Sequence, residues 1–319
     1  MRAQALGLAE ALGLPYCEWS FTLALPWRAL PPSPTLAAWR LQVPLAGPKR
    51  CDSVQGWWSP LVARLATPPG RAAAVAPDAL TLPPLVPMKE REPIAPPELI
   101  VATGRRVIAL ALWLKERAPT HPAVLYVQDP RTLRRSFDHC FIPAHDPGRG
   151  PNVTTTPLVF HRVTPERLAA AAAQWQPLWA SYPKPWWGLI VGGPSRSVAW
   201  HPETAQAAIT AWIAAARTAG ATLFATTARR TPAPLTRWLR EMVARLLPQS
   251  PPPYTGVGEN PYMAILALTE RRAVTSDSVS MLSETVAAPG LSFRLEVGRY
   301  RPRLQQFHAI WTNGPVSAR

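Results

Sequence analysis

The chain is short of cysteine and of lysine. Cys17, Cys51 and Cys140 are its only cysteines, and they lie far apart with no CxxC pair. That excludes a disulfide framework and a cysteine metal cluster, and it points to a reducing, cytoplasmic setting. No Cys/His spacing suits a metal, so no metal is expected. No apolar run reaches the eighteen residues of a spanning helix. The nearest, Val107–Leu114, is bracketed by Arg105, Arg106 and Lys115, so no transmembrane segment is expected. The first residues carry Glu10 as well as Arg2 and follow a helical period rather than a signal-peptide pattern. GxGxxG, the Walker loop and the GxSxG elbow are all missing, which removes the dinucleotide fingerprint, the P-loop and the serine-hydrolase reading.

Positive charge is abundant. The net charge is +15, and Lys49, Lys89, Lys115 and Lys184 are the only lysines, so arginine carries the excess. Such a field attracts anions: nucleotides, nucleic acid or an anionic membrane surface. A coding bias toward Arg, Ala and Pro accounts for it equally well. The basic residues are scattered, with no Lys/Arg run, no recognition-helix signature and no aromatic RNA-binding motif. Nucleic acid is therefore not the expected partner; peripheral contact with an anionic membrane is.

With 319 residues, 47% of them hydrophobic, the chain has material for two domains. Ala3–Leu12 reads as a helix stopped by Gly13, and Tyr16–Leu25 as a strand. Residues 26–98 are Pro-rich and irregular, with short helical candidates at Leu36–Leu41 and Trp58–Leu65. Order returns with strands at Leu99–Ala102, Val124–Gln128 and Phe137–Pro143 and a helix at Val107–Arg117. Thr164-Pro165-Glu166 opens an alanine-rich helix. The second half alternates strands (Trp187–Val191, Ala221–Thr226, Ala273–Thr275) with helices (Pro202–Ala219, Pro234–Leu247, Pro261–Leu268). The expected fold class is α/β, with domains 1–165 and 166–319.

Polar residues gather after the strands, where an open parallel sheet collects its ligands. In the first half these are Thr103, Gly104, Arg105, Asp129, His145 and Asp146. The His145-Asp146 pair reads as a general base or as a capping loop. In the second half, Gly192-Gly193-Pro194-Ser195 either lets a ligand approach the backbone or merely turns the chain. Thr227 to Arg230 brings two arginines that clamp a diphosphate or pair internally. Asn260 lies in a glycine-rich turn before a helix. Ser276, Asp277, Ser278 and Ser280 form a hydroxyl-rich loop at a helix start, which suits a phosphate. Glu284, further along that helix, suits a sugar or ribose hydroxyl, or is an ordinary helix carboxylate. Trp57-Trp58 and Trp186-Trp187 stack on a ligand or pack between elements.

Several of these stretches occur together and in order in one family. Gln4–Pro15 (QALGLAEALGLP), Ala102–Arg106 (ATGRR), Gln128–Arg131 (QDPR), Gly150–Val153 (GPNV), Arg162–Ala171 (RVTPERLAAA), Gly192–Arg196 (GGPSR), Thr226–Pro232 (TTARRTP), Glu259–Tyr262 (ENPY) and Thr275–Glu284 (TSDSVSMLSE) make the chain resemble the mitochondrial-fission Elm family. Its bacterial members are labelled as candidate glycosyltransferases. The resemblance implies a GT-B-like architecture of two Rossmann-like doubly wound domains facing a cleft. It implies a nucleotide-sugar on the C-terminal domain, an unknown acceptor on the N-terminal one, and transfer without a metal or other cofactor. Plant members imply an adaptor role instead. Family members begin with a strand and a glycine loop before the QALG helix. The N-terminal sheet is therefore expected to lack its first strand, with Met1 not the true start. Ala228 stands where the family commonly has serine, and Pro289–Phe293 replaces a Gly-Lys-Pro strand.

Overall fold

The structure, a computed structural model, describes residues 2–13, 16, 18–22, 32, 49–54 and 97–311. The chain divides into two compact units, Met1–Thr156 and Pro157–Arg319. That division falls upstream of the boundary expected after residue 165. The alanine-rich helix packs on a helix of the second unit, Tyr262–Leu268, and so belongs to it.

Unit 1 opens with α1 (Arg2–Ala11) and an antiparallel strand pair, β1 (Glu18–Thr22) and β2 (Lys49–Val54). Strand β2 lies within the segment expected to be irregular. The helical candidates Leu36–Leu41 and Trp58–Leu65, and the Trp57-Trp58 pair, lie outside the described residues. The main sheet is β3 (Leu99–Thr103), β4 (Ala123–Val127), β5 (His139–Pro143) and β6 (Val153–Thr156), in that order and parallel throughout. Helix α2 (Ile108–Arg117) joins β3 to β4, and every residue from Ile108 to Leu114 is buried. A helix covered all round reads as a continuous apolar run, as this one does, rather than as a stripe. Strand β6, Val-Thr-Thr-Thr, was not expected. Among the described residues it pairs on one side only, and its two middle residues are exposed, so it carries no hydrophobic signal.

Unit 2 begins with α3 (Pro165–Trp179). Thr164 caps it by accepting from the Arg167 N–H, and Pro165 sits where no N–H is needed. Then follow β7 (Trp186–Val191), β8 (Val198–Trp200), α4 (Pro202–Thr218), β9 (Thr222–Thr227), α5 (Ala233–Leu246), α6 (Tyr262–Leu268) and β10 (Arg271–Thr275). The described part ends with α7 (Val279–Val286), β11 (Leu291–Leu295), β12 (Gly298–Tyr300) and α8 (Pro302–Trp311). Helix α4 buries Ala205, Ile209, Trp212, Ile213 and Ala216, and α5 buries Leu235, Leu239, Met242 and Val243. Both sets follow the helical stripe and face the sheet. Strand β7 is buried at every position, as a central parallel strand must be. Trp186 and Trp187 are buried within it, so they pack rather than stack on a ligand.

The sheet order is β11-β10-β7-β9, parallel throughout. From β7 the chain moves through α4 to β9 on one side. From β10 it moves through α7 to β11 on the other. Neighbours β7 and β10 thus send their connections in opposite directions, which opens a crevice between their carboxyl ends.

Candidate functional site

Three loops meet at that crevice, and hydrogen bonds lace them together. After β7, the Gly192 N–H donates to Thr275 Oγ1 at 2.7 Å and the Gly193 N–H donates to Asp277 Oδ2 at 3.2 Å. After β9, Thr231 Oγ1 donates to the Gly192 carbonyl at 2.7 Å, and the Arg230 guanidinium donates to Asp277 Oδ2. The glycines answer to packing. A Cβ on Gly192 would stand 2.3 Å from Asp277 Oδ2, and one on Gly193 would stand 2.3 Å from the Arg230 carbonyl oxygen. Both glycines are thus required by the protein's own packing, which is neither a ligand's approach nor a mere turn.

Asp277 is the centre of the arrangement. Its side chain is buried, whereas that of Arg230 is 37% exposed. Burial pushes the Asp277 carboxyl up, against the opposing pull of Arg230 and of the bonds to Thr275 and Gly193. Its second oxygen, Oδ1, is buried with no hydrogen-bond partner among the described residues. A buried acceptor left this way calls for a donor.

The hydroxyl loop divides in two. Ser276 faces inward. Its N–H and its Oγ both donate to the Leu295 carbonyl, at 3.0 and 2.6 Å, and Oγ also meets the Tyr300 hydroxyl. His308 on α8 holds the Ser276 carbonyl through Nε2 at 2.8 Å. Burial, then the Arg294 charge, pushes this imidazole down to about 4. Ser278 faces the helix: its Oγ accepts from the Met281 N–H at 3.4 Å and caps α7. Ser280 is half-buried in the first turn of α7. The α7 start therefore keeps the positive helix end, while Ser276 serves as its anchor.

The remaining candidates of unit 2 lie around this centre. Arg229 is exposed beside Arg230. Thr227 donates to the Tyr254 carbonyl from its N–H at 3.0 Å and from Oγ1 at 3.2 Å. Ser195 Oγ accepts from the Ser197 N–H at 3.2 Å within its own turn. Asn260 Oδ1 accepts from the Tyr262 N–H at 3.0 Å and shapes the start of α6. Glu284 accepts a hydrogen bond from the Tyr262 hydroxyl. Burial pushes both groups up, and the Glu284 charge adds to the shift of Tyr262. Beneath this pair Arg272 is wholly buried, donating to the Leu266 and Thr269 carbonyls at 3.1 and 3.3 Å. Sequence reasoning missed Tyr262, Arg272, Tyr300 and His308. The last two come from the end of the chain and carried no local signal.

In unit 1, His145 and Asp146 occupy the turn after β5, and both are buried. His145 Nε2 stands 3.9 Å from Asp146 Oδ1, and the Asp146 N–H donates to the Pro143 carbonyl. Among the described residues no group of His, Cys, Asp and Glu side chains is arranged to hold a metal ion. No helix among them is long and apolar enough to cross a membrane.

Comparison with known proteins places this chain. It is 27% identical over 213 residues to the mitochondrial fission protein ELM1 of Arabidopsis thaliana, covering 59% of this chain and 49% of that one. The chain thus spans about half the length of that curated relative. Among solved structures, an α,α-trehalose-phosphate synthase (UDP-forming) from Burkholderia vietnamiensis aligns at 16% identity and TM-score 0.40, over 70% of this chain and 66% of the other. A UDP-GlcNAc 2-epimerase from Methanocaldococcus jannaschii aligns at 11% identity and TM-score 0.39, over 70% and 74%. Both structural likenesses are loose. The family model described as Mitochondrial fission ELM1 matches residues 1–313, and on that match the chain belongs to the mitochondrial fission ELM1 family.

Proposed function

We propose that unit 2 binds a nucleoside diphosphate, as the donor half of a nucleotide-sugar, and that the protein is a glycosyltransferase-like member of its family. The observation that carries this reading is the crevice between β7 and β10, where three loops converge on Asp277 and Arg230. Arg229 and the exposed part of Arg230 supply positive charge for a diphosphate. The α7 start supplies backbone N–H groups and the helix dipole. Asp277 fixes Arg230, and its Oδ1 accepts from a ligand hydroxyl. Glu284, held by Tyr262, accepts from a second hydroxyl, of ribose or sugar. Transfer would proceed without a metal.

Thermal unfolding with UDP, GDP and ADP tests this. At a hundredfold excess over Kd one of them should raise Tm by roughly 5–10 °C, and Arg230→Gln should abolish most of the rise. No shift with any nucleoside diphosphate or nucleotide-sugar overturns the reading.

A second reading is an adaptor of the mitochondrial-fission type, working through protein or membrane-surface contacts. The Asp277–Arg230 pair favours it, because the crevice is already neutralised from within, and the net charge of +15 supplies an anion-seeking surface. Co-sedimentation with anionic vesicles at low salt, without any nucleotide response, would select this reading.

A further inference from the structure

We infer that the carboxyl edge of unit 1, at Arg105 and Arg131, is a binding site for a phosphate-bearing ligand. The inference stands on unit 1 alone and holds whether or not unit 2 takes a nucleotide.

Three loops leave the carboxyl ends of β3, β4 and β5, where a parallel sheet presents its ligand groups. They carry Arg105 and Arg106, then Arg131, Arg134 and Arg135, then Arg149. The carboxylates in the same loops are spent or buried. Asp129 Oδ1 accepts from Arg134 and from the Arg131 N–H, both at 2.9 Å. Asp138 pairs with Lys115 at 2.8 Å. Asp146 is buried. Two arginines are also spent. Arg134 donates to Asp129 and to the Arg149 carbonyl. Arg149 donates to the carbonyls of Ala144, Asp146 and Gly148. Arg105, Arg106, Arg131 and Arg135 are exposed; the Arg131 charge acts on Asp129, but it is Arg134 whose guanidinium bonds that carboxylate.

The loop after β4 is also held in an unusual conformation. Gln128, Arg131 and Leu133 have φ of 89°, 63° and 54°. Three non-glycine residues in the left-handed region within six positions cost conformational energy, and such strain persists only where the surroundings enforce it. The enforcing contacts are present. Gln128 Nε2 donates to Gln4 Oε1 of α1 at 2.7 Å. Asn152 Nδ2 donates to the Arg134 and Phe137 carbonyls at 3.0 and 2.8 Å. The effect is to fix Arg131 at the edge before any ligand arrives.

Arg105 is brought to the same place by the neighbouring strand. The Gly104 N–H and the charges of Arg105 and Asp129 all act on the Tyr126 hydroxyl, whose burial pushes its ionisation up. Arg105 and Arg131 thus follow neighbouring strand ends, with Thr103 of β3 standing opposite Val127 of β4. Two guanidinium groups with unused fork geometry suit the oxygens of a phosphate ester. A soluble phosphorylated molecule and a phospholipid headgroup share that chemistry.

Hydrogen exchange on the full chain, with inorganic pyrophosphate as probe, tests the site. Pyrophosphate should slow exchange in residues 104–107 and 128–136. The double variant R105Q/R131Q should lose that protection and weaken binding at least tenfold by calorimetry, while keeping its thermal response to nucleoside diphosphates. Each single variant should lose part of the affinity, which keeps the test open if the double variant folds poorly. Vesicles of phosphatidylglycerol separate the sources. If they are bound by the wild type and released by R131Q without any pyrophosphate protection, the ligand is a headgroup. Pyrophosphate protection without vesicle binding identifies a soluble ligand. The site is overturned if the variants bind both probes like the wild type, if protection is confined to 192–196 and 275–281, or if neither probe binds.

Discussion

The two carboxyl edges of this protein are built on similar four-stranded parallel sheets and solve different problems. In unit 2 the strand order reverses between β7 and β10, and the edge is closed by its own Asp277–Arg230 pair. In unit 1 the strands of the main sheet follow chain order among the described residues, and the edge leaves four arginines exposed above a strained loop. A reversal makes a crevice that side chains can line from two directions. A sheet without one has to shape its edge by loop conformation. The comparison teaches that a basic residue after a strand has no fixed meaning. The Arg230 guanidinium bonds a buried carboxylate, whereas Asp129 takes the guanidinium of Arg134 and the side chain of Arg131 stays exposed.

The largest test of this contrast is Arg272→Ala. Arg272 lies wholly buried near the start of β10, under the end of α6, and burial pushes its pKa down to about 10. Its loss empties a large volume and bares the Leu266 and Thr269 carbonyls, at a cost of about 4 kcal/mol by urea unfolding. Exchange should quicken in β7 and β10 and not in β3 and β4. Equal quickening in both sheets would break the comparison, since the edges would then belong to one cooperative body.

Acid offers the next test. The folded His308 binds its proton more weakly than the unfolded one, at about 4 against 6.5. Its contribution is complete above 6.5 and is lost as pH falls toward 4, and the shift corresponds to about 3 kcal/mol. Asp129 behaves differently. Burial raises it, but its bonds to Arg134 and the Arg131 N–H outweigh burial and hold it below 3.8. Its contribution is present above 3.8 and is lost only as pH falls through the lower folded value. The hold of α8 on Ser276 should therefore loosen first on acidification, read by limited proteolysis at 301–308 against 128–136, while the raised carboxyls of Asp277 and Glu284 take up protons without loss of stability. His308→Gln should flatten the unit 2 response, and parallel curves for wild type and variant would refute it.

The smallest effects come from two glycines. A Cβ on Gly193 would meet the Arg230 backbone at 2.3 Å, whereas one on Gly148 would meet the Ile142 and Asp129 side chains at 2.6 and 2.8 Å. Backbone cannot yield as side chains can, so Gly193→Ala should cost about 2 kcal/mol and Gly148→Ala about 1 kcal/mol. Equal costs would mean that both edges are held with the same stiffness.

Much of this was legible. The strand ends at Thr103, Val127, Val191, Thr227 and Thr275 lie within a residue or so of where apolar runs meet polar loops. The helix start at the Ser276–Ser280 loop was readable, as was the one at Thr164-Pro165. Strand β6 was hidden because an exposed edge strand needs no apolar pattern. Ser276 is ambiguous in sequence for a related reason. Its residue type suits a phosphate loop, yet its N–H and hydroxyl both serve Leu295. The hydroxyl cannot report its partner.

The stretch Thr275–Glu284 shows where the division falls. Residue pattern determined that a strand ends there, that a capped helix follows, and that the chain resembles one family. These are local properties, set by periodicity, capping and residue type. The tertiary structure decided that β10 passes over β9 to lie beside β7, so that Asp277 meets Gly193 and Arg230 while Ser276 meets Tyr300 and His308. Strand order is a long-range choice made by packing, and packing alone turned one polar loop residue into the centre of a site and its neighbour into an anchor.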